Sequence, residues 1–135
     1  MNIKIHRIAL ASLLSLALAG CANFQTKPED AVAQRATARW QALIKGDMEA
    51  AYKFSSPGFR AVIDVAGFKG RTGIAGKWLD AQVNKVECDL LTRCRVVIRL
   101  EFSTLIPGRS KSKIDTGIDE TWLLEEGQWW IFQRI

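Results

Sequence analysis

A carboxylate beside a phenol in a dry cavity can pass a proton to and from a bound molecule. The chain offers pieces for such a pair: Asp119 and Glu101 as acids, Tyr52 as its single tyrosine, and Arg99 as a cation for an anionic substrate. Each piece also has an ordinary reading. Half the positions of an antiparallel strand normally face water, which accounts for Arg99, Glu101 and Asp119 without a site. Aromatic residues at helical or strand spacing, such as Tyr52 and Trp78, serve as plain core. Asp47 is explained by helix capping. The single histidine, His6, lies in a leader-like segment, so the remainder has no imidazole for a serine triad or a His-Asp dyad. Cys88 and Cys94 cannot complete a zinc tetrahedron without it. The glycines at 67, 70, 73 and 76 end in Lys77, but Gly70 and Gly76 are one residue too far apart for a phosphate loop, and Trp78 stands in the Ser/Thr position. No metal site and no cofactor is expected.

The first 20 residues run from charge (Lys4, Arg7) through an apolar stretch from Ile8 to Leu18 to small residues, the pattern of a secretory signal peptide. The stretch is little more than half of the roughly 20 residues that a membrane span needs. Leu18-Ala19-Gly20-Cys21 resembles the bacterial lipobox at all four positions. The resemblance implies cleavage before Cys21, a diacylglyceryl group of the palmitate class on its thiol, and in many bacteria another acyl chain on its amine. Several chains make a firm anchor where one holds marginally. Ala22 in place of Asp resembles lipoproteins sent on to the outer membrane. The expected address is the cell envelope, at the outer membrane facing the periplasm. With Cys21 consumed by lipid, Cys88 and Cys94 remain as an even pair in an oxidising compartment, where a disulfide is expected. A hairpin centred on Leu91 would set them opposite each other, about 4.5 to 5.5 Å apart.

The 135 residues, 48% of them hydrophobic, suffice for one domain and exclude disorder. A formal charge of +5, part of it in the leader, is small for a nucleic-acid binder, and none is expected as a partner. The expected division is 1–20 signal peptide, 21–28 lipidated tether and 29–135 globular domain. Thr26-Lys27-Pro28-Glu29 has the form of a capping box with Thr26 as N-cap. Val32, Ala36, Trp40, Leu43 and Ile44 then mark one helix face, with Arg35, Arg39 and Gln41 pointing elsewhere. Gly46 stops this helix, and Asp47 caps a short second one through Tyr52. Ser55-Ser56-Pro57-Gly58 breaks it, and 59–65 reads equally as helical turn or strand. Residues 67–77 read as a loop leading into a short helix at about 72–79. From there the period is two: strands are expected at about 82–89, from Cys94 to Phe102, at about 115–124 and at 128–135. An exposed basic turn spans 107–113, and a tight turn falls at Glu125-Glu126-Gly127. The basic turn, with Arg109, Lys111 and Lys113, reads either as a contact for anionic headgroups or as a solvated tip. Helices followed by a meander argue an α+β fold with helices on one face of a curved sheet.

Ala38-Arg39-Trp40-Gln41-Ala42-Leu43, Gly46-Asp47 with Ala51-Tyr52, Ser56-Pro57-Gly58-Phe59-Arg60, and Thr121-Trp122-Leu123-Leu124 with Gly127-Gln128-Trp129-Trp130 together resemble the nuclear transport factor 2-like domains. This is the cone-shaped α+β fold of ketosteroid isomerases, scytalone dehydratases and many binding proteins. The resemblance implies a pocket between the helices and the concave sheet face, lined from Tyr52, Trp78, Arg99, Glu101 and Asp119, and often a homodimer through the other face. Pattern alone leaves open which face of the central strand, Arg99 with Glu101 or Val96 with Ile98, Leu100 and Phe102, turns inward, because a one-residue slip exchanges them. Trp129 and Trp130 must face opposite ways. The function expected is a membrane-anchored, non-catalytic module binding a small apolar ligand or an envelope protein. The alternative is an isomerase- or hydrolase-like enzyme, distinguished by a buried carboxylate and phenol converging in one cavity.

Overall fold

The computed structural model describes residues 26–73, 76–89, 91–104 and 112–135. The leader, Cys21 and most of the basic turn at 107–113 lie outside the described residues. Helix α1 (Pro28–Lys45) is followed by α2 (Met48–Tyr52), α3 (Pro57–Val62) and α4 (Val65–Thr72). Then come β1 (Gly76–Asp89), β2 (Arg93–Thr104), β3 (Lys113–Glu125) and β4 (Gln128–Ile131), in one antiparallel sheet of order β1-β2-β3-β4. The helical part packs on one sheet face, the expected α+β arrangement.

The helix ends follow local chemistry. Gly46 takes φ 75°, a conformation glycine adopts at little cost, and its N–H reaches the carbonyls of Ala42 and Leu43. Asp47 Oδ1 accepts the Ala50 N–H, Ser56 Oγ accepts that of Phe59, and Asp64 Oδ1 accepts that of Gly67. The start of α1 differs from expectation. Pro28 holds the first helical position, so the N-cap is Lys27, with no side-chain cap bond, and the capping box centred on Thr26 does not form.

The glycine-rich stretch is the larger correction. Its helix is α4, spanning 65–72, and Lys77, Trp78 and Leu79 belong to β1. Asp64 supplies the cap, and Phe68, fully buried, supplies the contact that outweighs the poor helix propensity of Gly67 and Gly70. Of residues 59–65, ambiguous by pattern, 59–62 belong to α3, 63–64 to the α3–α4 junction, and Val65 opens α4.

Register settles the faces. Cys94, Val96, Ile98 and Leu100 are buried toward the helices, opposite Cys88, Val86, Val83 and Ala81 of β1. Irregularities between Trp78 and Asp80 and between Val83 and Lys85 shift the phase of β1 so that Trp78 also meets this side. β3 contributes Ile118, Glu120, Trp122 and Leu124, and β4 Trp129 and Ile131. The β3–β4 turn holds Glu126 and Gly127 at φ 52° and 76°, the pair of positive values that a two-residue hairpin turn with matching twist requires. Beyond β4, Ser55 forms a parallel bridge to Ile131, and the Ile131 N–H donates to the Phe54 carbonyl at 3.1 Å, which covers part of that edge.

Cys88 and Cys94 are directly opposed and joined as a disulfide, with Cα atoms 3.9 Å apart. Closing so short a loop contributes on the order of 2 kcal/mol through the entropy of the unfolded chain. The reduced protein is expected to fold and to melt lower, as a thermal scan with and without reductant will show. Two free thiols in the unreduced protein would contradict the bridge.

Candidate functional site

Three polar centres merit a chemical reading: one inside the core, one on the outer sheet face and one at the β4 edge. Inside, Glu120 and Arg39 are both almost fully buried. Glu120 Oε1 accepts from Arg39 Nη1 and from Trp40 Nε1, each at 2.8 Å, and its Oε2 accepts from Trp122 Nε1 at 3.0 Å. Arg39 and Trp40 are neighbours on α1, and Trp122 follows Glu120 by two on β3, so one helix turn meets one strand face. Burial lowers the Arg39 pKa from its ordinary value, while the adjacent Glu120 carboxylate opposes that shift. Both carboxylate oxygens hold donors in the packed core, whereas a general base needs a lone pair within reach of substrate. This is a clamp between α1 and β3.

The expected phenol stands elsewhere. Tyr52 hydroxyl donates to the Ile63 carbonyl at 2.7 Å, with the Arg60 carbonyl 3.3 Å away, and its ring packs on Phe68. Tyr52 therefore ties α2 to the α3–α4 junction. Trp78 packs edge-on against Trp40 and Phe102, with centroids 5.3 and 5.8 Å apart. It also borders a cleft of about 380 Å³ between the C-terminal end of α1, the end of α4 and the start of β1, where Leu43, Ile44 and Met48 meet Lys45 and Lys77.

Arg99, Glu101 and Asp119 do not join Tyr52 and Trp78. They lie on the outer face as members of ion pairs: Arg99 with Asp115 at 3.2 Å, Lys113 with Glu101 at 2.7 Å, and Arg95 with Asp119 at 2.8 Å. Lys85–Glu87 and Arg93–Asp89 continue the pattern, each at 2.6 Å. Hydrogen bonds from Lys85 and Arg93 hold the Glu87 and Asp89 carboxyls below their ordinary pKa values. Exposed pairs of this kind are screened by water and salt and add little stability. A shallow cleft of about 450 Å³ lies among Glu87, Arg95, Asp119, Thr121 and the disulfide, and its charges are already matched.

At the β4 edge, Trp129 turns to the helices and is buried, while the Trp130 ring lies under two guanidinium groups, Arg35 at 5.4 Å and Arg60 at 5.3 Å. Arg35 Nε donates to the Trp129 carbonyl at 2.7 Å, and burial lowers its pKa. Arg39 thus packs inward and Arg35 lies half-buried against the β4 edge, against the expectation that both point away from the apolar face.

Glu120 and Arg39 were invisible as a pair, although one signal was available. Trp122 is a large aromatic on β3, and a residue two before it shares its face, so an inward Trp122 places Glu120 inward as well. Among the described residues no group of three His, Cys, Asp or Glu side chains is placed to hold a metal ion, and no helix is long and apolar enough to cross a membrane.

No protein-family model matches the sequence, and no curated protein does either. Solved structures match in shape. An NTF-2-like protein of unknown function from Shewanella oneidensis MR-1 superposes with a TM-score of 0.56 at 14% identity, over 77% of this chain and 93% of that one. A SEC-C motif containing protein from Psychrobacter arcticus superposes with a TM-score of 0.59 at 14% identity, over 78% of this chain and 60% of that one. Another SEC-C motif containing protein, from Rhodopseudomonas palustris, gives 0.53 at 15% identity over 70% of each. The match therefore spans less than two thirds of the Psychrobacter chain. The fold is nuclear transport factor 2-like, with helices on one face of a four-stranded antiparallel sheet. At these identities the likeness speaks for fold and not for activity.

Proposed function

We propose that this chain is an envelope lipoprotein, anchored through Cys21 at the outer membrane, whose domain is a non-catalytic binding module. The anchor rests on Leu18-Ala19-Gly20-Cys21, and the observation that supports a binding module is the commitment of Glu120. The buried carboxylate is held by Arg39, Trp40 and Trp122, and the only phenol, Tyr52, is bonded to the α3–α4 junction. No acid–base pair then meets in an open cavity among the described residues. Concave apolar clefts bordered by a few polar groups are where small ligands settle. The cleft beside Trp78 has that character, and Lys45 and Lys77 at its rim favour an amphipathic ligand with a negative end.

The probe is an anionic naphthalene sulfonate dye, whose fluorescence rises in apolar surroundings. Trp78→Ala is expected to weaken its binding about tenfold, equivalent to about 1.4 kcal/mol. Equal affinity in the two proteins would remove the cleft from consideration. Cys21→Ser is expected to abolish incorporation of labelled fatty acid and membrane fractionation, and unchanged labelling contradicts the anchor. A turnover lost in Glu120→Gln with folding retained would establish the enzyme reading in place of this one.

A further inference from the structure

The eight arginines among the described residues fall into two sets. Arg39, Arg93, Arg95 and Arg99 each have a carboxylate at 2.6 to 3.2 Å. Arg35, Arg60, Arg71 and Arg134 have no such partner within 4.0 Å among the described residues. The second set is gathered along one short segment. Arg35 and Arg60 lie against the Trp130 ring, and Arg71 Nη1 donates to the Arg134 carbonyl at 3.5 Å. Arg60 Nε is buried with no hydrogen-bond partner among the described atoms. Large apolar side chains are exposed on the same segment, Phe132 at 52% and Ile135 at 68%, and Val62 of α3 is exposed at 61% two residues from Arg60. The arginines of the outer sheet face, Arg93, Arg95 and Arg99, are matched with acids; the four of the second set have none among the described residues and lie beside exposed apolar groups.

We propose that this arginine–aromatic edge is a membrane-docking surface that lays the domain on anionic lipid headgroups of the bilayer to which Cys21 tethers it. The inference rests on the lipoprotein reading and adds an orientation to it. An anionic bilayer surface presents negative charge above a hydrocarbon border, and basic side chains interleaved with Trp, Phe and aliphatic groups complement both layers at once. A free phosphate would want donors converging on one point, whereas these guanidinium groups are strung along the segment from Trp130 to Arg134 and its neighbours. An acidic polypeptide would not explain the exposed Phe132, Ile135 and Val62. Reach also permits membrane contact. From Cys21 to Pro28 an extended tether spans at most about 25 Å, and Arg35 lies about 10 Å along α1 from its start.

The test uses the native lipidated chain in vesicles with brominated acyl chains, made of phosphatidylcholine alone or mixed with phosphatidylglycerol. Tryptophan quenching is measured for the wild type and for Trp130→Phe, so that the difference isolates Trp130. The Trp130 signal is expected to be quenched about twofold more in the anionic vesicles, and Arg71→Glu with Arg134→Glu, both exposed positions, should remove that excess without moving the melting temperature. Equal quenching in the two vesicle types, or quenching that survives the charge reversal, overturns the proposal. Millimolar inorganic phosphate abolishing the excess at matched ionic strength would assign the edge to a free anion instead, and protection by polyglutamate without vesicle quenching would assign it to an acidic protein. Intact mass measurement of Cys21 separates the two readings. If no acyl group is found, the anchor falls, while the same quenching comparison with the chain added from solution still decides whether the edge meets anionic lipid.

Discussion

Glu120→Ala is expected to destabilise the domain by about 3–5 kcal/mol, the cost of stranding a buried charge whose partner has been removed. Arg39 would keep its guanidinium in the core with Nη1 unpaired, and its Nε has no partner to begin with. The Trp40 and Trp122 indole N–H groups would lose their acceptor at the same time. A folded domain typically has only about 5–15 kcal/mol in hand, so the variant should be close to unfolding at growth temperature. The double variant Arg39→Met with Glu120→Leu separates the worth of the pair from the penalty of breaking it. Apolar replacement of both partners at similar volume is often neutral or stabilising, so the double variant is expected to regain most of the loss. Urea denaturation checks both, with the midpoint as the reading. A loss under about 1 kcal/mol in Glu120→Ala, the range of exposed pairs, would mean that the carboxylate is solvated and the clamp is not formed.

Phe68→Ala is expected to cost about 3–5 kcal/mol by loss of transfer energy and creation of a cavity. Phe68 is fully buried on a helix that otherwise offers little to the core: α4 has glycines at 67 and 70 and buries no other residue fully. Its ring packs on Tyr52, whose hydroxyl holds the Ile63 carbonyl, so one substitution loosens the contact of α4 with α2 and, through it, the α3–α4 junction. Amide exchange should rise across 64–72 first, with the sheet core slower to respond. Phe68→Leu, which keeps an apolar side chain in the site, should retain more than half of the stability. Equal stability of Phe68→Ala and the wild type would show that the glycine-rich stretch is not packed as a helix.

The buried Glu120 carboxylate joins α1 to β3, and the outer-face charges pair with one another. Arginines without a carboxylate partner among the described residues lie at the β4 edge, near Trp130 and Phe132, and a cleft of apolar side chains with Lys45 and Lys77 lies beside Trp78.

Much of the architecture was determined by the sequence alone, wherever the deciding interaction is local. Gly46 ends α1 because the backbone there needs φ 75°, Asp47 starts α2 by reaching its own Ala50 N–H, and the alternation from Cys94 to Leu100 makes a strand buried on one face. The Cys88–Cys94 register follows from five intervening residues in a hairpin. The glycines argue for a loop and a later helix, and only Phe68 buried against Tyr52 outweighs them to make a helix of 65–72. The charged residues were the least legible. Arg39 and Glu120 are separated by 81 positions, and whether a charge lies in core or water depends on what faces it, not on its neighbours in the chain. The same holds for Arg99, Glu101 and Asp119, which the register turned outward into ion pairs, and for Arg35 and Arg60, which only the folded edge of β4 brings to one tryptophan.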